Sequence, residues 1–124
     1  MPGRDTRYLV RNATRDRVLA DRSGKPTKLF GRGIGLMGRR SLPPGDGLII
    51  QPCNSVVSFF MRFPIDVAFV DVEGKVCHTI EPLVPWRTST IVRQARLVVE
   101  LPAGTLAETG TKVGDQLEIT PASG

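Results

Sequence analysis

Phe59-Phe60-Met61-Arg62-Phe63-Pro64-Ile65-Asp66-Val67-Ala68-Phe69-Val70-Asp71-Val72-Glu73-Gly74-Lys75-Val76 is the densest apolar run in the chain and holds its clearest strand and turn signals. From Ile65 to Val72 only Asp66 and Asp71 interrupt the apolar side chains. A strand covered on both faces reads this way, whereas a strand with one wet face alternates. Proline is tolerated at the start of a strand and pushes the preceding residue toward extended backbone, so Pro64 places the strand's first residue at about Ile65. Asp71 can open a turn and Gly74 can take positive φ. Beyond them Val76, His78 and Ile80 alternate with Cys77, Thr79 and Glu81. The reading is a central hairpin from Ile65 to Ile80.

Other strands follow outward from it. Upstream, Tyr8-Leu9-Val10-Arg11 and Arg17-Val18-Leu19-Ala20 form a first hairpin across a polar turn, with a second turn at Ser23-Gly24-Lys25-Pro26. Thr27 can cap a helical turn ending at Phe30. Leu48-Ile49-Ile50 and Val56-Val57-Ser58-Phe59-Phe60 read as further strands around the loop 51–55. Downstream, Ala95 to Leu101 is a strand ended by Pro102. Thr105 and Glu108 have capping-box spacing, with Gly110 set to end a short helix. Gln116-Leu117-Glu118-Ile119 is the last strand. The expected organisation is a disordered segment 1–7, one β-rich domain 8–120 and a frayed tail 121–124. The expected fold is mostly β, an antiparallel sandwich or barrel with one short helix near the C-terminus.

Composition agrees with one domain. The 124 residues can bury about two thirds of the chain's surface without a metal or disulfide. Thirteen glycines and ten prolines suit many turns between short strands. No apolar leader and no membrane-spanning run is present, which predicts a cytoplasmic protein with no membrane association. Cys53 and Cys77 lack metal spacing and read as small buried hydrophobes. The net charge of +5 admits an anionic partner.

Phe59 through Asp71, followed by Gly74, resembles the signature of the Domain of Unknown Function 192 family, small bacterial and archaeal proteins. Gly35-Leu36-Met37-Gly38-Arg39 with Leu42 and Gly47-Leu48 is similar to that family's G-L-M-x-R segment. Leu101-Pro102-Ala103-Gly104 and Val113-Gly114-Asp115 are similar to its closing elements, and Pro85-Trp86-Arg87 resembles its short form. The likeness covers roughly residues 8 to 119. Many members read M-K-N-T-x-I-P-L-D, while Met61-Arg62-Phe63-Pro64 is shorter and lacks the amide and hydroxyl. A histidine common in short-form members is replaced by Val57. The resemblance implies a jelly-roll-like β architecture and, the family being uncharacterised, supplies no reaction.

Chemistry is sparse. Gly33 to Gly38 spells G-x-G-x-x-G, but Ser41-Leu42-Pro43-Pro44-Gly45 follows where a dinucleotide fold needs a crossover helix, so no nucleotide cofactor is expected. A histidine-cluster metal site is excluded because His78 is the only histidine. Asp66 must be paired, hydrogen-bonded or neutralised inside an apolar strand, and Arg62 is its nearest candidate partner. Arg39, Trp86 and Arg87 join Arg62 and Asp66 as candidate ligand-binding residues, with Arg32, Arg40, Arg93 and Arg96 available to extend an electropositive rim. Trp86 either lids the core or stacks a ligand. Nucleic-acid binding is not expected, since Phe59, Phe60, Phe63 and Phe69 read as core. The leading reading is a binder of a small anionic ligand at an arginine-bordered pocket. The alternatives are an enzyme of unassigned chemistry using Asp66 with Arg62, and a protein-interaction module. The sequence does not specify an oligomeric state.

Overall fold

The computed structural model describes residues 6–25, 41–59 and 61–122. Seven strands form one sheet: β1 Tyr8–Asn12, β2 Arg17–Gly24, β3 Asp46–Ile50, β4 Ile65–Asp71, β5 Val76–Leu83, β6 Ala95–Pro102 and β7 Leu117–Pro121. A short helix, α1 Thr105–Thr109, lies between β6 and β7. The spatial order is β5-β4-β6-β3-β2-β1-β7. Every neighbouring pair is antiparallel except β2 and β3, which run parallel through Arg22–Asp46, Ser23–Gly47 and Gly24–Leu48. A parallel pair needs a long connection, and the stretch between Gly24 and Asp46 supplies its length. Mostly β, with one short helix among the described residues, is therefore correct, while the sheet is mixed and not closed. The start of its edge strand β5 and the start of β7 approach each other through the bridge between Lys75 and Gln116 and through the Val76 amide to Asp115 O, the Gly114 amide to Val76 O and the Leu117 amide to Gly74 O.

β4 begins at Ile65 as Pro64 requires, and both its faces are buried. Ile65, Val67 and Phe69 enter one core cluster; Ala68 and Val70 enter another on the opposite face. The hairpin is not at the sheet's centre, however, because β5 is an edge. β5 is half-exposed along most of its length and carries Pro82, both features of an edge strand. Its turn is set as the residues suggest. Asp71 Oδ1 accepts the Glu73 and Lys75 amides at 2.9 Å each, and Gly74 has φ 84°. A Cβ on Gly74 would sit 2.5 Å from Gln116 Nε2, so glycine also lets the turn dock beside β7.

Asp66 belongs to the face of Ala68 and Val70 and is only 1% exposed. Its Oδ2 accepts the Gly104 amide at 3.0 Å and the Leu106 amide at 2.9 Å. Burial pushes the carboxyl up, with the two amides opposing the shift. The expected cap therefore changes hands. Gly104, at φ 97°, is the N-cap, and Thr105 donates its hydroxyl to Pro102 O at 2.7 Å. A carboxylate fixed on a buried strand replaces the threonine and ties α1 to β4, with Leu106 buried beneath.

Two other expectations move. Ser23 and Gly24 are strand rather than turn, because pairing with β3 extends β2. β7 runs through Pro121, opposite Tyr8, and the Ala122 amide donates to Arg7 O at 2.8 Å, so the last strand is longer than Gln116 to Ile119. The Gly114-Asp115 turn has its own anchor. Asp115 Oδ2 accepts from Asn12 Nδ2 at 3.0 Å, Arg15 Nε at 2.8 Å and Lys112 N at 3.0 Å, with the Arg15 guanidinium foremost in holding the carboxyl down at about 2.

Phe69 is fully buried, with its ring 5.4 Å from that of half-buried His78. Phe69→Ala is expected to cost about 3–5 kcal/mol, as large-to-small core changes do. Urea unfolding checks it; a loss below about 1 kcal/mol would contradict this packing.

Candidate functional site

The face of Ile65, Val67 and Phe69 is covered by two segments, residues 51–64 and 84–96, the second irregular as far as the start of β6, rather than by another sheet. Of the strand expected from Val56 to Phe60, Val56 to Phe59 do not form one, and Phe60 lies outside the described residues. Only Val57 and Thr88 form a bridge, because side-chain hydroxyls take the place of a ladder. The Val56 amide donates to Ser89 Oγ at 2.9 Å, the Ser89 amide to Val56 O at 2.9 Å and the Val92 amide to Asn54 O at 2.8 Å. Beneath the pair lie Val56, Met61, Leu83 and Val92, all buried in that core cluster.

Ser58 is the pin. Fully buried, it donates its hydroxyl to Val84 O at 2.6 Å and accepts the Arg87 amide at 2.9 Å. Its own amide donates to Arg87 O at 2.9 Å, and its carbonyl accepts the Trp86 amide at 3.0 Å and the Met61 amide at 3.2 Å. This clasp holds Trp86 at φ 65°, a left-handed conformation that costs a bulky residue about 1–2 kcal/mol. Trp86 is 54% exposed and stacks on Phe59, which is 40% exposed, with ring centroids 5.8 Å apart and planes 29° from parallel. Phe59 is thus a surface residue, unlike Phe63, which is partly buried, and Phe69. Val57 and Val84 are exposed close by.

Segments 51–64 and 84–96 contain Arg62, Arg87, Arg93 and Arg96 and neither aspartate nor glutamate. All four arginines are exposed, and none is ion-paired among the described residues. The contrast lies across the sheet, where Arg11 pairs with Asp16 and Glu118, Arg15 with Asp115, and Arg22 with Asp21 and Asp46.

Of the residues expected to form one site, Arg62, Trp86 and Arg87 are exposed residues of these two segments. Asp66 does not join them, and no ion pair links it to Arg62. Alternation along β4 turns Asp66 to the far face under α1, while Arg62 stays in the loop before Pro64. Arg39, Arg32, Arg40, the G-x-G-x-x-G loop and the turn at Thr27 lie outside the described residues. Two open depressions flank Arg96. One of about 340 Å³ is lined by Gln51, Val70, Asp71 and Leu117; one of about 270 Å³ by Pro52, Cys53 and Asn54.

Glu100 was legible only as part of an apolar strand. It shares the face of Val98, lies between Leu48 and Val67 on the neighbouring strands, and is 4% exposed. Burial alone pushes its carboxyl up to about 7. Among the described residues it joins no ion pair.

The DUF192 family model, described as an uncharacterized ACR, matches residues 27–119. The UPF0127 protein PF1050 of Pyrococcus furiosus is 39% identical over 64 residues, 52% of this chain and 54% of that protein, so the match spans about half of that relative's length. Among solved structures, a protein of unknown function from Novosphingobium aromaticivorans DSM 12444 superposes with a TM-score of 0.78 at 25% identity, covering 90% of this chain and 83% of that one. A proposed transcription regulator from Sinorhizobium meliloti 1021 gives 0.76 at 26% identity, covering 91% and 92%.

Ser58→Ala is expected to cost about 2–3 kcal/mol in urea unfolding, because it leaves the Val84 carbonyl and the Arg87 amide without their hydroxyl partner. Glu100 sets a pH dependence. Its folded value, about 7, lies above the ordinary 4.5, so the folded protein holds the proton more tightly than the unfolded chain. The stability from this group is complete below pH 4.5 and lost as pH rises through 7, a difference of about 3 kcal/mol. Urea midpoints should fall from pH 5 to pH 8 in the wild type and fall less in Glu100→Gln.

Proposed function

We propose that this protein, which belongs to the DUF192 family of uncharacterised proteins, is an interaction module that docks an anionic partner on the surface of residues 51–64 and 84–96. One observation carries the reading: four exposed arginines and no carboxylate in the same two segments as the exposed, stacked rings of Phe59 and Trp86. Tryptophan and arginine are the side chains most enriched where binding energy concentrates at interfaces. The two depressions beside Arg96 are lined by residues other than Trp86. The description of the Sinorhizobium neighbour as a proposed transcription regulator is compatible with an anionic partner.

A small anionic ligand in an arginine-bordered pocket is the second reading. The depressions beside Arg96 favour it, with Asn54 and Gln51 as polar neighbours, and it shifts the site away from Arg62, Trp86 and Arg87. An enzyme built on Asp66 with Arg62 has less support, since Asp66 serves the helix amides. We place the protein in the cytoplasm, where the unbridged thiols Cys53 and Cys77 are at home. Among the described residues no helix is long and apolar enough to cross a membrane.

Retention on immobilised heparin, a polyanion, tests the docking surface. Arg62→Glu/Arg87→Glu should elute at markedly lower salt than the wild type. Arg17→Glu/Lys112→Glu, an equal charge change on exposed residues outside these segments, should elute near the wild type. Equal shifts for both would show that only net charge is read, and the proposal would fall.

A further inference from the structure

We infer that the anionic partner is single-stranded nucleic acid, with unpaired bases stacking on the Phe59–Trp86 platform and phosphates held by Arg62, Arg87, Arg93 and Arg96. The inference rests on the docking surface proposed above and names its occupant.

Charge alone admits an acidic protein segment as well, so the rings decide. The Trp86 and Phe59 rings lie 5.8 Å apart at 29°, a stacked pair rather than an edge-on one, and over half of Trp86 faces solvent. Such a platform suits a flat π-face. Every nucleobase offers one, and the carboxylates of an acidic peptide do not. The cations point the same way. All four are arginine, whose planar fork matches phosphate oxygens bidentately, and neither segment has a lysine or a carboxylate to repel a phosphodiester chain. Stacking on protein rings requires bases free of their partners, which selects a single strand over a duplex. The segments are also irregular, joined by one bridge, with no helix to enter a major groove; α1 lies on the opposite side of the sheet.

The backbone supports the assignment independently. Trp86 occupies the left-handed region at φ 65°, held there by Ser58, and a bulky residue persists in that conformation only when its surroundings impose it. The four arginines are strung along the paired segments. Arg87 is opposite Ser58, the Arg96 carbonyl accepts the Cys53 amide at the other end, Arg93 lies between them, and Arg62 follows just beyond Ser58.

Trp86 is the only tryptophan, so the chain carries its own reporter. The test titrates the full chain with the deoxythymidine decamer (dT)10, a decamer duplex, polyglutamate and inorganic polyphosphate, following tryptophan emission, with heparin retention measured alongside. Expected are saturable quenching by (dT)10, weaker binding of the duplex, and a slope of log affinity against log salt of about −3, from about 0.7 per phosphate contact over four arginines. Trp86→Asn tolerates the left-handed backbone and removes the ring; with an unchanged far-ultraviolet spectrum it should bind (dT)10 at least about ten-fold more weakly, read for both proteins by the anisotropy of end-labelled (dT)10 because the variant has no tryptophan. Quenching in the wild type needs no variant, so a misfolded Trp86→Asn does not shield the inference. If polyglutamate binds as tightly as (dT)10, the partner class is wrong although the docking surface stands. If (dT)10 binds without changing tryptophan emission, the stacking assignment is overturned. If none of the polyanions binds, both proposals fail together.

Discussion

A strand that is apolar on both faces cannot leave either face to water, so β4 obliges the chain to build two covers from what remains. With Ile65, Val67 and Phe69 on one side and Ala68 and Val70 on the other, each side demands its own apolar layer. One cover is α1, too short to hold itself in place: five residues make little more than one turn, below what a free helix needs in water. Asp66 resolves that by accepting two amides at the start of α1 from the strand the helix must cover. The other cover is the loop pair, which has almost no ladder of its own and depends on Ser58 for the contacts a sheet would have supplied. Two polar residues, one for each face, let an apolar strand keep both its layers.

Local signals made most of the elements readable. Pro64, the alternation after Gly74, the branched run ending at Pro102 and the short helix before Gly110 each depend on neighbours within a few residues, and each lies where expected. What was not local was misread. Ser23 and Gly24 look like turn residues, yet pairing with β3 more than twenty positions away makes them strand. Thr105 has the spacing of a cap, but a carboxylate nearly forty residues upstream takes the role.

The candidate site shows the same division. Arg62, Trp86 and Arg87 were singled out by residue type, and all three are exposed on the loop pair. Asp66 was singled out because it sits in an apolar strand, and that burial serves the fold. Phe59 and Phe69 belong to the same apolar run, but one stacks in solvent and the other fills the core, because the sheet's pleat governs Phe69 while the loop's hydroxyl bonds govern Phe59. Composition cannot separate them. Ser58 and Glu100 went unmarked because neither carries a motif: one acquires its importance from loop contacts 26 to 29 residues away, the other its raised carboxyl from strands on either side.

Several local costs fall in one place. Like charges gather in two segments with no acid to screen them, a bulky residue is held in left-handed backbone, and two aromatic rings spend much of their area on water. The hydrophobic core requires none of these. Leu83, Val92 and Met61 cover β4 from below whatever the outer side chains are, while Arg11 of β1, Arg15 of its turn and Arg22 of β2 each pair with a nearby carboxylate. A chain selected only to fold would spread its cations and choose glycine or asparagine at position 86. On the docking reading proposed above, binding accounts for these costs together, and their nature describes the partner that reading requires: negatively charged along its length and flat where it meets Trp86.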